Sequence, residues 1–466
     1  MTPGRDSLIA ALRRIFSDED VSDDPVMLYA YSSDVSELEA TAEAVVRPTS
    51  SGQVRQLVKL ALERGLPLVP RGAGTGASGA VVPLEGGVVV DFSKMNRVLR
   101  VDTSERTAWV EPGVVADDLN RRLARIGFQL PVTPGSSAMA TVGGMVGNDA
   151  SGRKTIKYGT TKDWVRNLEV VFADEDATRT YLGRRVLKSV AGYDLVRLLV
   201  GSEGTLGLVT QVAFKIAPLP RHARVVQAVY DSLESAGETV AAIHRSWVTP
   251  SSVEILDRSS ILAVKAYRPR VDLPVDAEAV LLVELEGDHQ ASVAEASSAI
   301  ERLCRQAGAI DALVSTTPEE NERVWEARAL VGAAANQVRP GHVRVYVGED
   351  VVVPIRKIPD TLRHLRFLSE KYGLPVVVFG HVGDGNLHPA VTVRKTSEDD
   401  REKLDALESE IHQFVLSLGG STTGEHGVGR TRKRYVESEL GPAFGVMRKI
   451  KRALDPKNVL NPGVIF

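Results

Sequence analysis

The sequence predicts an α+β protein built from dissimilar parts, and three observations predict it. Through about residue 220, short apolar strands alternate with amphipathic helices across glycine-rich loops. From 221 to 415 the glycine density falls, and the strands and helices read as helices laid on an antiparallel sheet. Glycine-rich polar segments return at 380 and 419, and the final segment, 416–466, carries a basic amphipathic helix.

The elements follow in chain order. In the lead-in, about 1–40, Leu8, Leu12, Ile15 and Phe16 sit at helical spacing. The apolar run 8–12 is too short for a signal peptide, and Asp6 precedes it. A helix docked on the body of the protein is expected, with a membrane-surface helix as the alternative. Val54, Leu57, Val58, Ala61 and Leu62 trace one helix face, which Ser51 is placed to cap and Gly65 to end. Strands are expected at 66–70, 87–91, 107–111, 168–172 and 209–214, with a helix at 116–126 between them. Pro218 and Pro220 mark a boundary. Beyond it, strands are expected at 225–230, 280–286 and 343–347, helices near 232–247, 289–307 and 317–335, and a last helix at 447–454.

Composition removes several classes of function. The chain has 466 residues and a formal charge of −3, so it offers no general field for nucleic acid or an anionic membrane. No apolar run approaches the ~18 residues of a membrane-spanning helix. A single cysteine, Cys304, excludes a disulfide framework and any Cys-ligated iron–sulfur cluster within this chain. Glycine is in excess, at 40 residues, and more than half of it lies in the loops 71–79, 135–159, 192–207, 380–385 and 419–429 and at Gly463. Such loops bare backbone for close approach to a ligand.

Gly74-Thr75-Gly76-Ala77-Ser78-Gly79 has the letters of a dinucleotide fingerprint, but no helix is expected to begin inside it. A nicotinamide site is therefore not expected. The loop retains phosphate-binding chemistry through its backbone N–H groups, with Arg71, Thr75 and Ser78 as added donors. Further on, His381 and His388 flank a Gly-Asp-Gly-Asn turn, and Glu425-His426 lies in a second glycine turn. Two imidazoles and a carboxylate form a common shell for a catalytic divalent metal. His-x6-His is a weak motif on its own, so buried structural histidines remain the alternative at this point.

The segment Pro70-Arg71-Gly72-Ala73-Gly74-Thr75-Gly76-Ala77-Ser78-Gly79 resembles the pyrophosphate loop of the vanillyl-alcohol oxidase type of FAD-binding domain. Three further stretches resemble that domain's second flavin segment: Pro134-Gly135, Thr141 to Gly152, and Tyr158-Gly159-Thr160. Gly192 to Leu195 and Gly201-Ser202-Glu203-Gly204-Thr205-Leu206-Gly207 resemble its third, and Asn461-Pro462-Gly463 its C-terminal return. The resemblance runs in order over nearly the whole chain. It is nearest to the D-lactate, D-2-hydroxyglutarate and glycolate dehydrogenase branch. It implies an FAD-binding domain over 1–220, an α+β substrate (cap) domain over 221–415, and a segment 416–466 returning to the flavin.

By the resemblance, the cofactor contacts are Arg71, Gly72, Ala73, Gly74, Thr75, Gly76, Ser78, Gly79, Pro134, Gly135, Thr141, Gly144, Gly147, Asn148, Ala150, Gly152, Tyr158, Glu203, Gly207, Val209 and Asn461. Small residues at Gly143, Gly144, Gly147 and Ala150 suit a flat isoalloxazine lying against backbone, and Asn148 suits its polar edge. Members of the family often link flavin covalently through a histidine in the first loop; Thr75 stands there, so non-covalent FAD is expected.

The resemblance likewise makes His381, His388 and Glu425 ligands of a divalent metal, zinc first, with manganese or iron as alternatives. It makes His426 the base, and Asn386 and Arg328 substrate contacts, the latter for the carboxylate. Arg344, Tyr346 and Lys433 are further candidates. The implied reaction is oxidation of a D-2-hydroxy acid, lactate-like, to the 2-oxo acid: the metal polarises the hydroxyl, His426 removes its proton, and hydride passes to flavin N5. Gly332, where hydroxyglutarate-specific members carry a hydroxyl side chain, weakens that substrate.

The expected partners are the hydroxy acid and an electron acceptor: a quinone, a cytochrome or an electron-transfer flavoprotein. The oligomeric state is open, a homodimer included. The expected location is the cytoplasm, with peripheral membrane attachment as the alternative. Competing readings are a non-redox transferase resembling alkylglycerone-phosphate synthase, a zinc hydrolase, and a glycolate-oxidase-like FAD-binding subunit of a complex.

Overall fold

The computed structural model describes residues 3–346, 348–394 and 396–466. The chain forms two compact units. The first comprises residues up to 152, 159–219 and 425–466, and the second 153–158 and 220–424. The short stretch 153–158 and residues 416–424, grouped by sequence with the flanking segments, lie in the second unit. Ser421 pairs with Val352, and Tyr158 bonds Glu286, both within that unit.

The first unit contains two larger sheets and a two-stranded pair, Phe128–Gln129 with Ala217–Pro218. A four-stranded sheet runs Val21–Ser22, Ala44–Val46, Val88–Asp91, Leu68–Arg71, with the last three parallel. The helix Ser51–Arg64 buries Val54, Leu57, Val58, Ala61 and Leu62 on its predicted face. Its cap is Ser50 rather than Ser51: the Ser50 hydroxyl accepts from Gln53 N, and Ser51 is already helical. Gly65 ends it at φ +63°, the left-handed stop that glycine adopts without strain. The lead-in helix Pro3–Leu12 sends Leu8, Ile9 and Leu12, with Phe16, into the same core as Val54 and Val88. That is the docked reading of its apolar face.

The five-stranded antiparallel sheet of this unit orders Val98–Asp102, Thr107–Val110, Leu208–Lys215, Val165–Val171 and Arg179–Gly183. It packs on the helix Ala116–Ala124 through Leu119 and Leu123. No regular element lies between Leu68–Arg71 and Val88–Asp91, so the 74–79 glycine loop enters no helix.

The second unit is an antiparallel eight-stranded sheet with helices on both faces. Seven strands run in the order Asp311–Val314, His222–Tyr230, Ala279–Gly287, Ser252–Asp257, Val376–His381, Asn386–Val393, Val343–Val345, and Val351–Val352 also pairs with Asn386–Val393. Central strands alternate between two cores: Leu281, Val283 and Leu285 face one, Val280 and Leu282 the other. The strand expected at 343–347 spans Val343–Val345, and Val347 lies outside the described residues. Among the described residues no helix is long and apolar enough to cross a membrane.

Candidate active site

In the first unit a narrow groove, open to solvent, is lined by residues from strands Leu68–Arg71 and Leu208–Lys215, the helix Val142–Asn148 and adjoining loops. Of the predicted cofactor contacts, Arg71, Gly72, Thr141, Gly144, Gly147, Asn148, Glu203, Gly207, Val209 and Asn461 line it. One wall is the helix Val142–Asn148, which the sequence pattern did not reveal: three glycines in seven residues are poor helix formers. Thr141 starts it, its hydroxyl accepting from Gly144 N at 3.3 Å. Gly143 faces inward, where an added Cβ would lie 2.6 Å from Pro112 Cβ. Gly147 faces open space, with nothing within 4 Å of such a Cβ. The glycines therefore let the helix press on Pro112 on one side and present bare backbone on the other.

The glycine-rich lining and a buried polar atom without a partner among the described residues suit a flat cofactor with polar edges. Asn461 donates both amide hydrogens to backbone, at Ala80 O and Glu203 O, while its buried Oδ1 has no partner among the described residues. Arg71 lies largely buried in the wall and donates to Ser33 O at 2.8 Å. Ser78 and Gly79, also predicted contacts, lie off the groove lining, with the buried Ser78 hydroxyl against Gly429. Gly79 N binds Asp34. Ala73, Gly74, Thr75 and Gly76 remain on the partly exposed stretch of the first loop, off the groove lining. Pro134, Gly135, Ala150 and Gly152 also lie off that lining, and Tyr158 belongs to the second unit. Residues missed by sequence include Phe92, Pro112 and Leu199, ordinary apolar residues with no local signal.

The turn carrying Glu425 and His426 also lies in the first unit. Asn148 Nδ2 donates to His426 O at 3.3 Å, so the Asn148 amide serves this turn. Ser151 Oγ donates to Glu425 Oε2 at 3.3 Å. Lys433, the predicted cation, is exposed, whereas the neighbouring Arg432 is 1% exposed and donates to Gly427 O.

In the second unit, strands Val376–His381 and Asn386–Val393 form a tight antiparallel pair, with Phe379 opposite His388 and His381 opposite Asn386. This register brings the two imidazoles together edge to face, ring centres 5.1 Å apart. Gly385, at φ +83°, makes the reversal that joins the strands. His381 Nδ1 meets Glu254 Oε1 at 2.5 Å, and His388 Nδ1 meets the Glu349 carbonyl at 3.0 Å. An N–H held on Nδ1 by an acceptor leaves the lone pair on Nε2, the form in which imidazole ligates a metal.

Glu254 is fully buried and also accepts from Arg328 Nε at 2.6 Å. Burial alone would raise its pKa, but His381 and Arg328 outweigh that and hold the carboxyl below its ordinary range. Arg328 stacks over Phe379 at 4.8 Å, and its Nη1 and Nη2 have no hydrogen-bond partner among the described residues. Arg344 lies over the same ring at 5.5 Å, stacks on Tyr346, and is paired with Glu349. Asn386 gives its amide hydrogens to Asp350 Oδ1 and Val351 O, so its Oδ1 is the side-chain group left for a ligand. Glu254, Glu349 and Asp350 were missed by sequence. The available signal was a carboxylate inside an apolar strand, Ser252 to Asp257.

A mixed α/β unit with a glycine-lined groove, and an antiparallel unit bearing a histidine pair, define an FAD-linked oxidoreductase of the vanillyl-alcohol oxidase fold. The fold is that of p-cresol methylhydroxylase (TM-score 0.80, 21% identity, covering 99% of this chain and 97% of that one). It is also that of alkyldihydroxyacetonephosphate synthase (TM-score 0.75, 20% identity, covering 99% and 85%). Residues 42–181 match the FAD binding domain, and residues 219–465 match the FAD linked oxidases, C-terminal domain. The chain belongs to the FAD-linked oxidases. It is 36% identical to glycolate oxidase subunit GlcD of Bacillus subtilis, covering 94% of this chain and 92% of that protein. It is 32% identical to D-lactate dehydrogenases of Anaerostipes hadrus (96% and 92% covered) and Archaeoglobus fulgidus (90% and 90%).

Proposed function

We propose that the protein is an FAD- and divalent-metal-dependent dehydrogenase that oxidises a D-2-hydroxy acid, lactate-like, to the 2-oxo acid. The observation that carries this reading is the histidine pair of the second unit, each Nδ1 tied to an acceptor, beside two arginines on one phenylalanine face. Relatives named D-lactate dehydrogenase and glycolate oxidase subunit support it. When bound, FAD supplies the hydride acceptor and the divalent ion supplies Lewis acidity.

The chain's own residues supply the rest. His381 and His388 hold the ion through Nε2. Sequence resemblance adds Glu425 as the carboxylate ligand and His426 as the base that takes the hydroxyl proton. The Arg328 fork binds the substrate carboxylate, its Nε fixed on Glu254 so that the terminal nitrogens are oriented. A Cβ at Gly332 would lie 3.3 Å from Arg344 Nη1, so a larger residue there would bear on that second arginine. The sole cysteine, Cys304, is buried, and electrons therefore leave directly to an external acceptor.

The test is an anaerobic flavin-reduction screen over D- and L-2-hydroxy acids, with and without chelator. D-specific bleaching that chelation suppresses is expected; reduction by L-isomers only, or indifference to metal removal, rejects the reading. His426→Ala is expected to lower kcat by about 10²- to 10⁴-fold while FAD stays bound.

A further inference from the structure

The turn that carries His426 is held by groups from each of the three flavin segments. Ser78 O, from the first, accepts from Arg430 N at 2.8 Å and Thr431 N at 3.2 Å. Asn148, from the second, donates to His426 O. Glu203, from the third, accepts from Val428 N at Oε1 and from Gly429 N at Oε2, both at 2.8 Å. Gly427 (φ +83°) and Gly429 (φ +52°) turn the backbone so that two successive N–H groups converge on one carboxylate. An added Cβ at Gly429 would strike Ser78 O and at Gly427 would come within 3.0 Å of Glu203 Oε1, so the fit is close on both sides.

Glu203 occupies this place against its own preferences. It is a non-glycine residue at φ +50°, and its carboxyl is buried. Its backbone is pinned by Gly147 O on one side and Asn461 Nδ2 on the other. Strained, buried acidic residues persist where the surroundings over-determine them, and they concentrate at functional sites.

We propose that Glu203 is a positioning residue for His426: its carboxylate grips the amides two and three residues beyond the base and fixes the base-bearing turn to the wall of the cofactor groove. This rests on His426 being the base. Both carboxylate oxygens are spent on the turn, so Glu203 serves the flavin through its backbone and serves catalysis through His426. Because the same segments form the groove, filling the groove also steadies the turn.

The test uses full-length protein and reads hydrogen exchange across residues 424–432 together with steady-state kinetics. Glu203→Gln keeps the shape but turns one acceptor into a donor facing an N–H group. Exchange at Val428 and Gly429 is expected to rise by about 10- to 100-fold, the weight of a charged hydrogen bond. kcat is expected to fall about tenfold or more, with KM and flavin content changed less than about twofold. Glu203→Asp, which keeps both acceptors on a shorter stem, recovers part of both effects and covers the case in which the glutamine variant folds poorly. Loading wild-type apoprotein with FAD slows exchange in the same peptide. Unchanged exchange in both variants overturns the clamp. Faster exchange with unchanged kcat, while His426→Ala is inactive, overturns the positioning role and leaves the base assignment intact. Unchanged kcat in His426→Ala overturns both.

Discussion

Glu203 also makes the stability of the first unit depend on pH. Burial pushes its carboxyl up to about 7, while the amides of Val428 and Gly429 and the charge of Arg432 pull it back down. The folded protein thus holds this proton more tightly than the unfolded chain does, and the two-amide grip of the carboxylate is complete only above about 7, once that proton has left. The resulting stability is full below about 4.5 and is lost as pH rises through about 7, a difference of up to about 3 kcal/mol. Urea melts of the apoprotein at pH 5 and pH 8 check this: Glu203→Gln should lose less stability between them than wild type. Glu254 poses the opposite case, a buried carboxylate kept charged by two partners. Glu254→Gln removes the acceptor that orients His381 and is expected to weaken metal retention by about 10- to 100-fold in a zinc competition titration. An unchanged affinity would show that His381 is oriented otherwise.

Among the elements, the helix Val142–Asn148 separates packing from binding within seven residues. Gly143→Ala drives a methyl into Pro112 and is expected to lower the melting temperature with or without FAD. Gly147→Ala meets no atom of the protein, so it should raise apoprotein stability by about 0.5–1 kcal/mol through helix propensity. The same methyl stands in the cofactor groove, so FAD affinity should fall. Thermal melts and flavin titration of the two variants check the contrast, and equal behaviour would reject this groove as the cofactor's. The strand pair 376–393 makes a similar point. Seven residues of sequence separation say little about distance, but antiparallel register with Phe379 opposite His388 leaves the imidazoles in contact.

For the whole molecule, the family match makes FAD the cofactor, and the first loop bears on how it is held. With Thr75 in place of a histidine, acid precipitation should release the yellow colour into the supernatant; colour in the pellet would mean a covalent bond from another residue. Much of the fold was legible beforehand because its elements are strongly periodic. The helix Ser51–Arg64 and the strands Val88–Asp91 and Ala279–Gly287 were visible as apolar patterns of period 3.6, as a continuous run, or both. The helix Val142–Asn148 was not, since its stability comes from a cap and from close contact with Pro112 rather than from propensity.

The amino-acid sequence by itself determined the family, the order of the flavin segments and the histidines worth watching, because glycines and short polar motifs at fixed spacing record backbone that a ligand must touch. Tertiary structure alone decided which partners those residues meet. It tied the Glu203 carboxylate to the His426 turn, gave Asn148 to the same turn, and set Glu254 and Glu349 behind the two imidazoles. Those partners are from 39 to 278 residues away in the chain, and hydrogen bonds over such separations leave no period in the sequence.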